Sequence, residues 1–491
     1  MLHDLLVIGG GINGAGIARD AAGRGLDVML VEKDDLASAT SSWSSKLIHG
    51  GLRYLEQYEF GLVREALQER EVLLRLAPHI IRPLAFVLPH DASMRPAWMI
   101  RAGLWLYDHL GGRITLPASR HVAFPHPQYS AGLKAGIRSG FVYSDCSVDD
   151  ARLTLVNAMS AREKGATILT RTRFEGARRV GGAWEARIVR DGGTRETVHA
   201  KALVNAAGPW VVDVLGGIEG DRIAGRVRLV KGSHIVVPRV HSQPHAYILQ
   251  NPDKRVVFVI PYEGDFTLIG TTDVQVASVE EARAITAEET RYLLEAANRF
   301  LAKPLAEGDI VSSYAGVRPL YDDGSPNPSE VTRDYVLKLD RGGGAEPPLL
   351  TVFGGKITTY RRLAEEALAK LAPSFPAAGG AWTAREALPG GDGDSPIGGG
   401  ELQERYANLG AELLAGIVRR HGSRTPRVLG EARQRADLGR DFGAGLTARE
   451  VEYMRAHEWA ITAEDVLWRR SKCGLHMDAA GRAAVREYMG R

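Results

Sequence analysis

An unbroken apolar run, Leu5-Leu6-Val7-Ile8, opens the chain and stops abruptly at Gly9-Gly10-Gly11-Ile12-Asn13-Gly14. A stretch with helical spacing follows, then a second short apolar run, Val28-Met29-Leu30-Val31, closed by Glu32. Short continuous apolar runs bounded by turn residues predict strands buried on both faces, as in a parallel sheet. The opening therefore reads strand, glycine turn, helix, strand. A helix is expected over 60–76, after which Pro78, Pro83, Pro89 and Pro96 punctuate the chain up to an apolar stretch at 97–110. Residues 150–208 read as a helix and then strands, ending in the buried run Ala202-Leu203-Val204-Asn205 and the turn Ala206-Ala207-Gly208. Strands separated by turns are expected at 227–230, 233–237 and 256–260, a helix at 287–301 and further strands at 309–316 and 335–339. The run 349–353, Gly354-Gly355 and a helix over 358–371 repeat the strand–glycine–helix pattern. Residues 374–400, rich in Pro, Gly and Ala, read as a linker to a charged, helical end without internal repeats.

The opening unit has a specific chemistry. Gly9 makes the turn, Gly11 lets backbone N–H groups reach a pyrophosphate, and Gly14 lets helix and strand pack closely. The helix N-terminus favours phosphate charge. Glu32 stands where an acid can hold adenosine ribose hydroxyls, which argues for FAD or NAD and against the 2′-phosphate of NADP. The fold expected is α/β, with a doubly wound sheet carrying the cofactor.

Composition narrows the rest. At 491 residues the chain should divide into two or three domains, and its 44% apolar and 25% charged residues are those of a globular protein. A net charge of +3 gives no reason to expect nucleic acid. The two cysteines, Cys146 and Cys473, lie far apart and fit a reduced compartment. With the first strand beginning by Asp4, no signal peptide is expected, and no run of 18 apolar residues offers a membrane span. Cytoplasm, or the cytoplasmic face of the inner membrane, is the expected location. No metal is expected: His457-Glu458-Trp459 opens like a zinc-binding helix, but Ile461 stands where the second ligand would be.

A second block, Thr40-Ser41-Ser42-Trp43-Ser44-Ser45-Lys46-Leu47-Ile48-His49-Gly50-Gly51-Leu52-Arg53-Tyr54-Leu55, returns the chain over the cofactor soon after Glu32. With Tyr143-Ser144-Asp145-Cys146, Asn205-Ala206-Ala207-Gly208-Pro209-Trp210, Lys231-Gly232-Ser233-His234, Ile269-Gly270-Thr271-Thr272-Asp273, Gly316-Val317-Arg318-Pro319-Leu320, Thr332-Arg333-Asp334-Tyr335 and Phe353-Gly354-Gly355-Lys356, it resembles the FAD-dependent glycerol-3-phosphate dehydrogenases, within the larger D-amino-acid-oxidase-like flavoproteins. The likeness runs from residue 4 to about 371 and continues more loosely through Asp465-Val466-Leu467-Trp468-Arg469-Arg470. Trp43 departs from the pattern, which has a smaller or basic side chain there.

The resemblance implies a discontinuous Rossmann-like FAD domain (1–75, 141–226 and 350–373), a sheet-rich substrate domain (76–140 and 227–349) and a linker with a C-terminal helical domain (374–491). It implies FAD contacts from Gly9, Gly11, Ile12, Asn13, Gly14, Glu32 and Lys33. In the second block these come from Thr40, Ser41, Ser42, Ser45, Lys46, Leu47, His49, Gly50 and Gly51. Later in the chain they come from Ala207, Gly208, Trp210, Gly354, Gly355, Lys356 and Ile357. The implied reaction oxidises sn-glycerol 3-phosphate to dihydroxyacetone phosphate and passes electrons to membrane quinone.

A small dianion needs fixed positive charge, and the planar fork of arginine suits phosphate. Arg53, Arg318 and Arg333 are the candidates, with Tyr54 and Thr271 beside them. Arg318 is expected in an apolar strand end where an unpaired charge would be costly. A base near neutrality is needed for the C2 hydroxyl, and histidine supplies one. His49 is the first choice and His234 the second; Lys356, before a helix, would stabilise developing negative charge. An oxidase using O2 is the alternative enzyme, and a non-catalytic flavin-binding sensor or assembly protein the alternative class. The latter would require a lost substrate site, whereas the arginines and His49 are present. The apolar segment 97–110 reads as a core helix by length, but Trp98, Trp105, Tyr107 and its arginines suit peripheral membrane contact, the reading the resemblance favours. A homodimer is compatible with this picture.

Overall fold

The computed structural model describes residues 1–91, 94–223, 225–322, 334–343, 346–392 and 400–490. The opening apolar runs form the centre of an eight-stranded sheet. Strands Leu349–Phe353, Arg195–Asn205, Leu2–Ile8, Val28–Val31 and Thr167–Leu169 lie side by side and parallel. Helix Ile12–Gly23 crosses over between the two opening strands; nearly all of it is buried, against helices Asp150–Glu163 and Tyr360–Leu371. Its run of Ala and Gly side chains permits that close packing.

A second sheet of ten strands is mixed in direction, in the order Val274–Val276, Val227–Pro238, Phe266–Gly270, Val256–Tyr262, Ala246–Gln250, Ile81–His90, Ser139–Val148 and Leu47–Ile48. Ser312–Tyr321 pairs along Val227–Pro238, and Arg120–Ala123 along Ser139–Val148. Where two strands and a turn were expected at 227–237, one strand runs through. Gly232 is not a turn residue; a Cβ there would lie 2.6 Å from the Thr271 hydroxyl and 2.7 Å from the Arg318 guanidinium. The glycine marks a close crossing beneath the Thr271 and Arg318 side chains.

Sheet pairing also redraws the expected domain boundaries. Residues 141–148 belong to the second sheet, because Ser139–Val148 pairs with Ile81–His90 along its whole length. Val336–Asp340 belongs to the first, at its edge beside Leu349–Phe353. The stretch read as a linker is, up to residue 392, a strap packed on the cofactor domain. Trp382 donates to the Asp20 carbonyl and fills the space beside Gly23, while Leu388 is buried.

Helix Ala97–Leu110 buries only Leu104 and Tyr107 and turns Trp98 and Trp105 outward, 70% and 61% exposed. It is amphipathic rather than a core helix. No helix of the described residues is long and apolar enough to cross a membrane. The C-terminal unit (helices Ala411–His421, Ala448–His457 and Ala479–Met489) is clamped to the cofactor domain by charge. Arg152 pairs with Glu458 at 2.9 Å, Arg171 with Asp465 at 2.9 Å, Arg470 with Asp35, and Lys472 with Asp149.

Candidate active site

A cleft with an empty volume of about 940 Å³ runs along the carboxyl ends of the parallel strands, where doubly wound sheets bind their ligands. Gly9, Gly11, Ile12 and Asn13 line it from the first turn, Glu32 and Lys33 from the second strand, and Thr40 and Ser41 from the hydroxyl-rich loop. Ala207, Gly208, Trp210, Gly354 and Gly355 complete it. A Cβ at Gly14 would sit 1.9 Å from the Gly9 carbonyl, so only glycine lets the helix approach the strand here. The Ile12 N–H donates to the Ser41 hydroxyl at 3.0 Å, tying the loop to the helix start. Glu32 accepts the Gly10 and Asp34 N–H groups at 2.7 and 2.8 Å; burial raises its pKa, and these two donors oppose the rise. Lys33 lies over the Trp210 ring, 3.5 Å from its centroid, across the cleft wall.

Two observations make this cleft fit a dinucleotide. The N-cap of helix Ile12–Gly23 is Gly11, which has no side chain to cap it, so beyond the Ile12 N–H taken by Ser41 the first turn can still offer backbone donors to a phosphate. Asn13 donates to the Gly354 carbonyl at 3.0 Å, while its buried Oδ1 has no partner among the described residues.

Beside the Gly354-Gly355 end of the cleft the structure brings together residues far apart in sequence. His49 lies edge-on to Phe258, with ring centroids 6.3 Å apart, and Phe258 pairs across the sheet with Gly270. Thr271 follows, and its hydroxyl accepts from Arg318 at 3.3 Å. Lys356 sits over the Tyr54 ring at 4.2 Å. Arg53 is half-buried and pairs with no described residue; Arg333 lies outside the described residues. Arg318 departs from the buried setting expected of it: it is 37% exposed and paired with Asp273 at 3.2 Å.

The two candidate histidines differ in kind. The His234 ring is buried, stacked on Tyr314 at 4.8 Å and bonded to the Ser45 hydroxyl at 2.9 Å. Burial, then Arg318 and Lys46, push its pKa well down. The half-buried His49 imidazole bonds to no described residue. Burial lowers its pKa, Asp145 opposes this and Lys356 reinforces it.

Four expected cofactor contacts have side chains committed elsewhere. Ser42 donates to the Ala37 carbonyl, Ser45 meets His234, Lys46 is buried against Asp150 at 2.9 Å, and Leu47 packs in a core with Val63 and Leu67. Trp43 leans on Tyr314 at 5.3 Å and, with Lys46, lines a second cavity against the C-terminal Trp468 and Lys472. The bulky residue is accommodated at that second cavity and is not among the residues that line the cofactor cleft. Ile357 packs against the main core, and helix Tyr360–Leu371 begins four residues after Lys356. Tyr107, expected with Trp98 and Trp105 at a membrane interface, is instead buried and bonded to Asp145; no role was expected of Asp145, Asp273 or Phe258.

The model of the FAD dependent oxidoreductase family matches residues 4–361, and that of the C-terminal domain of alpha-glycerophosphate oxidase matches 381–490. The chain is 55% identical over 490 residues to a glycerol-3-phosphate dehydrogenase of Pseudomonas aeruginosa, covering 99% of this chain and 95% of that one. It is 53% identical over 490 residues to a D-erythritol 1-phosphate dehydrogenase of Brucella abortus, covering 99% and 97%. A solved glycerol-3-phosphate dehydrogenase from Bacillus halodurans complexed with FAD superposes with a TM-score of 0.74 at 27% identity, over 100% of this chain and 94% of that one.

Proposed function

The chain belongs to the family of FAD-dependent oxidoreductases, and on that premise we propose that it oxidises sn-glycerol 3-phosphate to dihydroxyacetone phosphate. The observation that carries this reading is a half-buried imidazole beside the cofactor cleft, bonded to no described residue and acted on by the Lys356 charge. FAD held along Gly11, Glu32, Ser41 and Gly354 would supply the hydride acceptor for the C2 hydrogen.

The chain's own residues do the rest. His49, kept neutral by burial and by Lys356, takes the C2 hydroxyl proton. Arg318, with Thr271 and Arg53, holds the phosphate dianion and so sets which end of the substrate faces His49. Lys356 places fixed positive charge beside the reacting end. His234, already bonded to Ser45 and stacked on Tyr314, orients the loop.

Membrane quinone is the proposed electron acceptor, reached from the cytoplasmic face of the membrane. Support comes from an outward apolar face: Trp98, Met99 and Trp105 on one helix, with Tyr58 and Phe60 also exposed. Single exposed apolar residues are ordinary, but large aromatic ones grouped on a short amphipathic helix suit a lipid interface.

The Brucella relative supports a second reading, in which the substrate is the longer D-erythritol 1-phosphate. Steady-state kinetics with both polyol phosphates, using a soluble quinone without oxygen and then air alone, test both choices. A higher kcat/KM for sn-glycerol 3-phosphate with quinone supports the first reading. Preference for the tetritol phosphate, or equal turnover in air, contradicts it.

A further inference from the structure

We propose that Asp145, acting through Tyr107, is a positioning residue that holds the His49-Gly50-Gly51 strip at the reacting end, with Arg70 fixing Asp145 itself. Asp145 stands on strand Ser139–Val148 and is fully buried. Its carboxylate accepts the Tyr107 hydroxyl at 2.7 and 2.9 Å and Arg70 at 2.8 Å. Arg70 is locked in turn by the Ser144 carbonyl at 2.8 Å and Glu71 at 3.0 Å. With its proton spent on Asp145, the phenol oxygen presents a lone pair, and the Gly50 N–H donates to it at 2.9 Å, with a longer, weaker branch of 3.4 Å to the Asp145 carboxylate itself. Chains of this kind polarise one another, so each bond strengthens the next.

A Cβ at position 50 would lie 2.6 Å from both the Tyr107 oxygen and the Leu67 side chain, so any residue but glycine there would displace them. From its other side the strip is held more loosely: the His49 N–H reaches the Thr358 hydroxyl at 3.4 Å, and that hydroxyl reaches the His49 carbonyl at 3.5 Å. The short, directional contact is the one from Tyr107. A buried Arg–Asp pair is a poor stabiliser beside apolar residues of similar size, which makes orientation the better account of this one. Tyr107 is also one of only two buried side chains of helix Ala97–Leu110, so the helix that turns Trp98 and Trp105 outward meets the reacting end through this hydroxyl.

The inference rests on the reading that the strip borders the bound flavin, and the test separates the two. In the FAD-loaded enzyme, Tyr107→Phe keeps the ring and removes the one oxygen. Its visible circular dichroism should change, and kcat with sn-glycerol 3-phosphate should fall about tenfold, the scale of one lost buried hydrogen bond, while KM stays within about twofold. Asp145→Asn should act in the same direction, and the double variant should add little to either, as expected of residues acting in one chain. If Asp145→Asn fails to fold, Tyr107→Phe carries the test alone. A Tyr107→Phe enzyme with native dichroism and kcat, beside a His49→Gln enzyme altered in both, overturns the positioning role. Native dichroism in both variants overturns the reading of the strip as flavin-facing.

Discussion

Arg318 donates to Asp273 at 3.2 Å, with both side chains little more than a third exposed. The guanidinium proposed to hold the phosphate is therefore already engaged by a carboxylate, and a dianionic substrate has to compete with it. Arg318→Ala should raise KM on the order of 10- to 100-fold, the scale of a hydrogen bond to a charged group, with kcat changed much less. Asp273→Asn should move KM the other way. Initial-rate measurements over a substrate range check both; an Arg318 variant with native KM removes this residue from the phosphate site.

The pH dependence follows from His49. Burial and the Lys356 charge hold its pKa below the ordinary value of ~6.5, and the Asp145 carboxylate only partly offsets them. The imidazole is thus neutral and able to accept a proton at pH 7. Activity should fall only as pH drops through the lowered value. Lys356→Met removes a neighbour that depresses this pKa, so the acid limb of kcat/KM should move to higher pH. A limb that stays put in Lys356→Met would contradict His49 as the base.

Much of the cofactor half was legible in the sequence, because its signals are local. The apolar runs at 5–8 and 28–31, the glycines between them and Glu32 are neighbours in sequence and in space. The helix expected over 60–76 is observed as Phe60–Leu76, and the strand expected over 349–353 as Leu349–Phe353. What stayed hidden depends on long-range pairing. Gly232 carries a turn signal, yet the strand continues through it because Ser312–Tyr321 pairs along both sides of that position. Asp145 and Tyr107 are 38 residues apart and meet only once the helix packs on the sheet. Likewise, nothing local in Lys46 shows that its ammonium will be buried against Asp150.

The C-terminal unit should depend on its buried clamp. Arg152 donates to both Glu458 oxygens at 2.9 and 3.1 Å inside the domain contact. Burial alone would raise the Glu458 pKa, but Arg152 and His421 outweigh it and hold the carboxyl well below its usual range. Glu458→Ala leaves an arginine unpaired and should cost about 3–5 kcal/mol. Because the folded pKa is depressed, the contribution is complete above the unfolded value of ~4.3 and is lost as pH falls towards the folded one. Thermal unfolding across pH checks this: the variant should melt lower at pH 7 and lose less than the native chain on acidification. Equal melting at pH 7 would contradict the clamp.

Trp98 and Trp105 are exposed, so replacing both by glutamate buries no charge and should leave the fold intact. On the interface reading, liposome binding and quinone-linked turnover should weaken, while activity with a water-soluble dye survives. Co-sedimentation with vesicles and the two assays decide it. Unchanged vesicle binding by the double variant would rule this helix out as the membrane contact.

The central claim is that a polyol phosphate delivers its C2 hydride at the His49 end of the FAD cleft. Anaerobic titration of the purified, FAD-loaded enzyme with sn-glycerol 3-phosphate tests it most directly, followed at the visible flavin band. The band should bleach as substrate is added, in proportion to the enzyme present, and return on addition of quinone. A band that remains oxidised at saturating sn-glycerol 3-phosphate would contradict the account.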